Sequence, residues 1–401
     1  MAVGAFNEKF LPVNGVRLSS VASGIKKSGN DLVLIEFASG SKAAGVFTNN
    51  AFAAAPVQVC KSHLEEASPR YFLVNSGNAN AATGKIGVSN AIDCCEALGS
   101  LTAVDRKKVL PFSTGVIGEH LPADRIKAAL PKLIEGLKEG NWLEAARGIM
   151  TTDTRPKIAS RSFDIDGTDL VVTGIAKGAG MIEPHMATLL VFIATDAGMN
   201  SDLLRKLLRS AADQSFNRIT VDSDTSTNDS CMLVATSASG FWIEEDTKAA
   251  EIFLEQLTGL CIELAQGVIK DAEGVTRFVE VMVEGGTDQS TCLEIAYSIA
   301  NSPLVKSAVF AGDANWGRIV MAIGKTPFPI DPELIDVYLG SVRLMHAGEK
   351  DASYKEEDGA REMAGKEIQI RVNLNQGSAV ERVWTTDLSY DYIKINADYR
   401  S

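Results

Sequence analysis

Short β-rich runs and longer amphipathic helical stretches are interleaved along this chain without regular alternation, and this pattern constrains the fold most strongly. Apolar residues recur at helical spacing in residues 201–211 and 246–269, so each stretch has one hydrophobic face. The β-rich runs are residues 31–37, 170–175, 189–195, 231–236, 275–283 and 368–374. A doubly wound parallel sheet needs strict strand–helix alternation. The sequence therefore predicts an α+β fold, a layered α/β sandwich in which helices cover sheets.

Two further helices are expected in the first half of the chain. One covers residues 87–101 with Ser89 as its N-cap. The other covers residues 125–137, where Pro131 is expected to break the helix or start a new one. The C-terminal tail, from Thr386 onward, is predicted to be β-rich and is aromatic to its last residues, and we expect it to dock on the body of the protein rather than fray.

Length and charge narrow the class of protein. A chain of 401 residues suggests two or three compact units. Its net charge of -12 disfavours binding to nucleic acid, because such a surface repels phosphate. The N-terminus does not resemble a signal peptide, and we expect no apolar stretch near the roughly 18 residues of a membrane helix. A cytoplasmic enzyme without membrane association is the resulting expectation. The six cysteines are scattered and are expected to be reduced core thiols, with a catalytic thiol as a minor alternative.

Several common site signatures are incomplete in this chain. The G-x-G at residues 178–180 has Glu183 where a dinucleotide-binding turn needs its third glycine. Residues 324–326 read GKT, as at the end of a phosphate loop, but Ile319 stands where that loop needs its first glycine. The acidic run from Asp222 has Thr227 and Leu233 where a calcium loop needs glycine and glutamate. The four histidines show no metal-ligand spacing, and no G-x-S-x-G elbow is present. We therefore expect no metal and no cofactor.

Two polar clusters remain in unusual settings. Residues 177–190 read KGAGMIEPHMATLL, a glycine-rich turn that leads to a threonine and an apolar strand. Residues 112–118 read FSTGVIG, a turn that can present a hydroxyl and a backbone N–H to an oxyanion. Taken alone, Thr188 is typical of a strand start and Thr114 of a turn.

Taken with four other segments, these clusters resemble the ornithine acetyltransferase family, also called bifunctional glutamate N-acetyltransferase. The other segments are VNSGNAN at residues 74–80, SFNRITVDSDTSTNDS at residues 215–230, and GDANWGR at residues 312–318 followed by YDYIKINADY at residues 390–399. The resemblance extends over essentially the whole chain, with all the segments in the family's order. It implies the sandwich fold of that family and a place in arginine biosynthesis.

The resemblance also implies a reaction and a set of roles. The acetyl group of N2-acetylornithine would pass to L-glutamate, with acetyl-CoA as a second donor in bifunctional members. Thr188 would be the nucleophile, freed by cleavage between Ala187 and Thr188, and Thr114 and Gly115 would form the oxyanion hole. The substrate-binding residues would be Thr152 (with Thr151 as the alternative), Lys177, Thr188, Glu273, Asn396 and Ser401. Two positions depart from the family's pattern: His185 replaces a common asparagine and Ala314 a common proline.

Elementary chemistry makes these roles reasonable. A threonine hydroxyl needs a base, and an N-terminal threonine can use its own α-amine, whose pKa is about 8. That amine exists only after the Ala187–Thr188 bond is cut, and the small Ala187 leaves room for the hydroxyl to attack. Lys177 suits a substrate carboxylate and Glu273 the ornithine ammonium.

Cleavage would divide the chain into an upstream chain, residues 1–187, and a downstream chain, residues 188–401. The family suggests that two of each chain assemble as an α2β2 heterotetramer. Two other functions remain open from the sequence: an N-terminal-nucleophile amidase or aminopeptidase with water as the acceptor, and a processed binding protein that kept the scaffold.

Overall fold

The computed structural model describes residues 2–6, 8–183 and 189–398, and these residues form two compact units. The larger unit comprises residues 6–217 and 224–268. The smaller comprises residues 1–5, 218–223 and 269–401.

The strands are β1 (Val16–Val21), β2 (Leu32–Phe37), β3 (Lys42–Phe47), β4 (Tyr71–Asn78), β5 (Val109–Val116), β6 (Lys157–Ile165), β7 (Thr168–Lys177), β8 (Leu190–Thr195), β9 (Ser230–Ala235), β10 (Phe278–Gly286), β11 (Asp336–Leu339), β12 (Val342–His346), β13 (Glu349–Lys350), β14 (Glu367–Asn373) and β15 (Ala379–Thr386). The helices are α1 (Ala55–Glu66), α2 (Gly84–Thr102), α3 (Ala123–Glu135), α4 (Trp142–Gly148), α5 (Ser201–Asp213), α6 (Lys248–Lys270), α7 (Gln289–Ala300), α8 (Pro303–Ala311), α9 (Trp316–Gly324), α10 (Glu356–Met363) and α11 (Tyr390–Ala397).

The larger unit is a sandwich of two sheets. One has the strand order β1-β2-β4-β5 and the other β3-β9-β8-β7-β6. Strand β2 is buried on both faces, which explains its continuous apolar run. Its Val33 and Ile35 join a core shared with Phe192 of the second sheet. Its Leu32 and Leu34 instead face the helices α2 and α3, in a core that includes Leu98 and Leu130. The predicted α+β sandwich with helix-covered sheets is confirmed.

Helix α6 covers the other sheet. A Cβ placed on Gly174 of β7 would lie 3.1 Å from the side chains of Leu260 and Leu264, so glycine allows this close approach. Helix α6 is long and apolar enough to cross a membrane by length and composition, which corrects the expectation that no stretch would reach that size. A buried core helix meets the same criterion, and Phe253, Leu257 and Leu260 of α6 are fully buried.

The smaller unit contains one six-stranded sheet with the order β13-β12-β11-β14-β10-β15. Strand β10 is parallel to β14 and antiparallel to β15. Its alternate residues Val279, Val281 and Val283 face one side, where they share a core with Ile295 of α7 and Ile323 of α9.

Three local expectations were wrong. Helix α2 begins at Gly84 rather than at residue 87, with Thr83 as its N-cap, so Ser89 lies inside the helix. Helix α3 continues through Pro131, because that residue is exposed while the apolar face of the helix stays in the core. The tail forms the helix α11 rather than a β-rich segment.

All six cysteines are free and buried, as expected. Burial raises the pKa of the Cys94 thiol to about 12 and also raises that of Cys60. Thiols of this kind are poor nucleophiles at neutral pH, which weighs against a catalytic cysteine.

Candidate active site

Thr114 and Gly115 lie near the end of strand β5 and not in the turn that was expected at residues 112–118. Strand β5 runs parallel to β4 here. Thr114 is in register with Ser76, and Gly115 with Gly77. Gly115 has φ +136°, and a Cβ at this position would lie 2.3 Å from the carbonyl carbon of Gly77. Real Cβ atoms do not approach so closely, and the backbone conformation is one that side chains rarely adopt. Glycine is therefore required here for the two strand ends to meet.

Buried amide side chains hold this pair of strand ends in place. The Ser113 hydroxyl donates to Asn75 Oδ1 over 2.6 Å, and Asn75 Nδ2 donates to the Asn78 carbonyl over 2.8 Å. Asn228 Nδ2 donates to the carbonyls of Ala79 and Ser113 over 2.6 and 2.9 Å. Buried amides with satisfied partners fix backbone geometry. The polar residues of segments 74–80 and 215–230 thus have a structural role beside Thr114.

Lys177 contacts the Thr114 side chain directly. It is the last residue of β7, is 6% exposed, and its Nζ donates to Thr114 Oγ1 over 3.1 Å. A hydroxyl oxygen that accepts this bond still carries its own hydrogen. Thr114 can therefore donate to a further acceptor, such as an oxyanion, while the ammonium charge lies next to it.

Asp153 organises the segment that contains the candidate threonines. Its carboxylate accepts from Lys157 Nζ over 2.5 Å, from the Gly178 N–H over 2.8 Å and from the Thr151 N–H over 2.9 Å. Burial would raise the pKa of Asp153, but Lys157, Lys177 and these hydrogen bonds outweigh it and hold the pKa well below its usual range. The half-buried Thr151 and Thr152 are thereby held one or two residues from a fixed anion.

Asp153 belongs to no recognisable sequence motif. Its four-residue spacing from Lys157 is a weak signal, because Asp153 lies in a loop and Lys157 at the start of a strand rather than both on one helix. The contact with Gly178 depends on the pairing of β6 with β7, which brings Lys157 opposite Ala176.

The predicted cleavage point lies between two paired strands, β7, which ends at Lys177, and β8, which begins at Leu190. Leu190, two residues after Thr188, is in antiparallel register with Lys177. The carbonyl of Leu189 accepts a hydrogen bond of 3.1 Å from the Ser230 N–H. His185, Ala187 and Thr188 lie outside the described residues, as does Ser401.

The smaller unit brings Glu273 and Asn396 together. Asn396 Nδ2 donates to Glu273 Oε2 over 2.9 Å, and Asn396 lies on α11. Ser389 caps α11 and donates to the Gly274 carbonyl over 2.6 Å. Asp387 accepts from the backbone N–H groups of Thr276 and Arg277. The described part of the tail is docked on residues 273–277, as expected.

Lys306 of α8 is hydrogen-bonded to the residues at the start of this tail. It is buried, and its Nζ donates to Thr385 Oγ1 and to the Thr386 carbonyl, each over 2.7 Å. Its own carbonyl accepts from the Leu388 N–H. Burial lowers the pKa of Lys306 to about 7, against the opposing charges of Asp387 and Asp222.

In the larger unit, Thr114, Gly115, Lys177 and the segment of Thr152 are thus connected through hydrogen bonds and strand pairing, whereas Glu273 and Asn396 pair in the smaller unit. A glycine at a strand end, a buried hydroxyl and a neighbouring ammonium can together stabilise negative charge that develops on a carbonyl oxygen. An arrangement of this kind on a two-sheet sandwich is suited to acyl transfer.

The chain belongs to the ArgJ family, whose model matches residues 17–401. An "Arginine biosynthesis bifunctional protein ArgJ" from Pseudomonas syringae is 50% identical, over 97% of each chain. A protein of the same name from Psychrobacter arcticus is 48% identical over 100% of each chain. Among solved structures, the protein of that name from Bacillus halodurans is 34% identical, with a TM-score of 0.49, over 50% of this chain and 95% of that chain.

Proposed function

We propose that this enzyme transfers the acetyl group of N2-acetylornithine to L-glutamate through an acetyl ester on Thr188. The Thr188 α-amine and hydroxyl would be released when the chain cuts its own backbone between Ala187 and Thr188. Membership of the ArgJ family makes the chain an arginine-biosynthesis enzyme with glutamate N-acetyltransferase activity. The nucleophile, the cleavage and the order of steps are the parts we propose.

The hydrogen bond from Lys177 to Thr114 is the observation that best supports the proposal. It places a cation and a hydroxyl donor beside Gly115 at the end of β5, and Leu190, the first residue of β8, pairs with the same lysine. A nucleophile at residue 188 is therefore close in sequence to a strand residue that pairs with Lys177.

In the first half-reaction, the Thr188 hydroxyl attacks the acetyl carbonyl carbon of acetylornithine while the α-amine takes the hydroxyl proton. The oxyanion receives hydrogen bonds from Thr114 and from the Gly115 N–H. The amide C–N bond then breaks, and ornithine leaves as the amine with that proton. In the second half-reaction, the glutamate amine attacks the ester carbon, and the Thr188 oxygen leaves and regains a proton.

The remaining roles follow the charges of the two substrates. Lys177 is the proposed partner for a substrate carboxylate, and Glu273 and Asn396 are the proposed partners for the ornithine side chain, with Thr152 and Ser401 as further contacts. Acetyl-CoA is proposed as a second donor, consistent with the word bifunctional in the names of the relatives. A cytoplasmic α2β2 assembly of the two chains completes the proposal.

A product assay tests this function. The purified enzyme is given acetylornithine or acetyl-CoA, each with and without glutamate, and the products are separated. We expect N-acetylglutamate from both donors, and no product from the Thr188→Ala variant. Release of free acetate at a rate independent of glutamate would contradict the proposal and favour the amidase. If glutamate is acetylated by acetylornithine but not by acetyl-CoA, the enzyme is monofunctional.

A further inference from the structure

A rigid loop that the proposed reaction does not yet use lies beside the oxyanion strands. Asp31, fully buried just before β2, accepts hydrogen bonds from the Ser23 N–H and hydroxyl over 2.6 and 2.8 Å, and from the N–H groups of Ile25 and Lys26 over 2.7 and 2.9 Å. A carboxylate with this many short hydrogen bonds fixes the backbone of residues 23–26. Lys26 is therefore held in a defined position.

The Lys26 side chain connects two segments of the proposed site. A Cβ on Gly77, which has φ +103°, would lie 2.9 Å from Lys26 Cγ, so the lysine stem covers this glycine. Gly77 is the residue in register with Gly115. At the other end of the side chain, Lys26 Nζ donates to the Met150 carbonyl over 3.2 Å. Met150 immediately precedes Thr151 and Thr152 in the sequence.

The charge of Lys26 has no direct anionic partner among the described residues. Its half-buried ammonium donates to one neutral carbonyl, while the oxygens of Asp153 are bonded to Lys157 and to two backbone N–H groups. Burial lowers the pKa of Lys26 against the fields of Asp31 and Asp153. An ammonium has three N–H donors, and a cation taken partly out of water is stabilised by an anion that binds to the others.

We infer that Lys26 binds the α-carboxylate that acetylornithine and glutamate have in common. This inference rests on the proposed function. In acetylornithine, the reacting carbonyl carbon and the α-carboxylate carbon are separated by the amide nitrogen and Cα, a distance of roughly 3–4 Å. A substrate whose carbonyl oxygen is bound at Thr114 and Gly115 therefore has its α-carboxylate close by, whereas its terminal ammonium is several bonds farther away.

This assignment gives the two substrates a common binding partner although their side chains have opposite charges. The α-carboxylate lies next to the reacting bond in both substrates, so Lys26 can bind it in both half-reactions. The α-carboxylate is then shared between two cations, Lys177 beside Thr114 and Lys26 on the side of Gly77 and Met150.

The test compares acetylornithine with N-acetylputrescine, the same molecule without its α-carboxylate. The mature enzyme is prepared as wild type, Lys26→Met, Lys26→Gln and Lys26→Arg, with Lys27→Met as a control in the same loop. Lys26→Gln loses the charge but keeps a donor for the Met150 carbonyl, so it separates charge from loop anchoring. For each protein, kcat/KM is measured with both donors. If transfer from N-acetylputrescine is too slow, inhibition constants of ornithine and putrescine give the same comparison.

We expect Lys26→Met and Lys26→Gln to lose roughly 10- to 100-fold in kcat/KM for acetylornithine, mainly through KM, and to change little with N-acetylputrescine. Lys26→Arg should recover part of the loss, and Lys27→Met should resemble wild type. Equal losses with both donors, or no loss with acetylornithine, would overturn the inference while leaving the proposed function intact. A wild-type enzyme that does not use acetylornithine would instead overturn the proposed function and this inference with it.

Discussion

Thr114 combines two hydrogen-bonding roles in one hydroxyl group. Its oxygen accepts from Lys177 Nζ, and its hydrogen remains available for the oxyanion of a substrate. Replacing Thr114 with alanine removes this donor, and we expect acetyl transfer to slow by roughly 10²- to 10³-fold. Thr114→Ser keeps the hydroxyl and should retain most of the activity. A Thr114→Ala enzyme that folds normally and keeps the wild-type kcat would remove Thr114 from the site.

Lys306 gives a second prediction at the scale of single residues. Its pKa in the folded protein is about 7, against 10.5 as the ordinary value. Between these two pH values the unfolded chain binds the extra proton, so the free energy of unfolding should rise with pH, by up to about 1.4 kcal/mol per pH unit. Below pH 7 the penalty for burying the charge is fully present.

Denaturant unfolding of wild type and Lys306→Met at pH 7.5 and 9.5 measures this effect. Wild type should gain stability relative to the variant as the pH rises. Parallel behaviour of the two proteins across this range would show that Lys306 has an ordinary pKa.

From the sequence, site residues can be predicted only where they belong to a recognisable motif. Thr114 and Lys177 were named in this way, and the fold brings them within 3.1 Å. Asp153 and Lys26 were missed, because their roles depend on contacts with Gly178 and Gly77 that are distant in the sequence. The local pattern around an aspartate in a Thr-Thr-Asp-Thr segment does not distinguish a solvated turn from a buried anion.

At the scale of secondary-structure elements, α11 shows how tertiary contacts decide a conformation. Its tyrosines and isoleucines have high strand propensity, which led to the β-rich interpretation of the tail. Ser389 instead provides an N-cap, and Asp387 and Ser389 bond to residues 274–277, so the segment begins a helix. In helix α2 the decisive contact is local instead: Gly87 lies inside the helix, where a Cβ would lie 1.9 Å from Oγ1 of the N-cap residue Thr83.

The contact between α11 and Gly274 gives a prediction for this element. Gly274 has φ +68°, and a Cβ there would lie 2.4 Å from the Tyr392 backbone nitrogen. Gly274→Ala should therefore displace α11 from its loop and separate Asn396 from Glu273. We expect KM for acetylornithine to rise about 10-fold, the effect of losing roughly one hydrogen bond to a charged group. The melting temperature should change by only a few degrees.

The control for this variant is Gly240→Ala. Gly240 has φ +77° but no atom within 4 Å of its added Cβ, so it introduces similar backbone strain without the clash. If Gly274→Ala and Gly240→Ala have the same KM, the contact with Tyr392 does not matter for substrate binding.

At the scale of the whole molecule, the proposed cleavage point does not divide the chain into its two compact units. Strands β6 and β7 precede residue 187 and β8 and β9 follow it, yet all four belong to one sheet of the larger unit. The sequence predicted layered sheets because strand-like and helix-like runs are irregularly interleaved. It could not predict the strand order β3-β9-β8-β7-β6, because this order is set by pairings between distant segments.

This shared sheet predicts how the mature protein behaves. It should migrate as two fragments, residues 1–187 and 188–401, under denaturing conditions, and the fragments should stay together in native chromatography. Thr188→Ala should remain a single chain. Active enzyme that contains only intact 401-residue chains by mass spectrometry would end the cleavage hypothesis.

The proposed mechanism depends most on Thr188 carrying the acetyl group, and trapping the acetylated enzyme tests this most directly. Mature enzyme is mixed with acetyl-labelled N2-acetylornithine in the absence of glutamate, quenched in acid and analysed by intact and peptide mass spectrometry. We predict one added acetyl group on the fragment 188–401, located on the Thr188 hydroxyl, which disappears as N-acetylglutamate forms when glutamate is added. Double-reciprocal plots should then be parallel. No acetylated fragment, together with intersecting plots, would mean direct transfer between two bound substrates and would contradict Thr188 as the acetyl carrier.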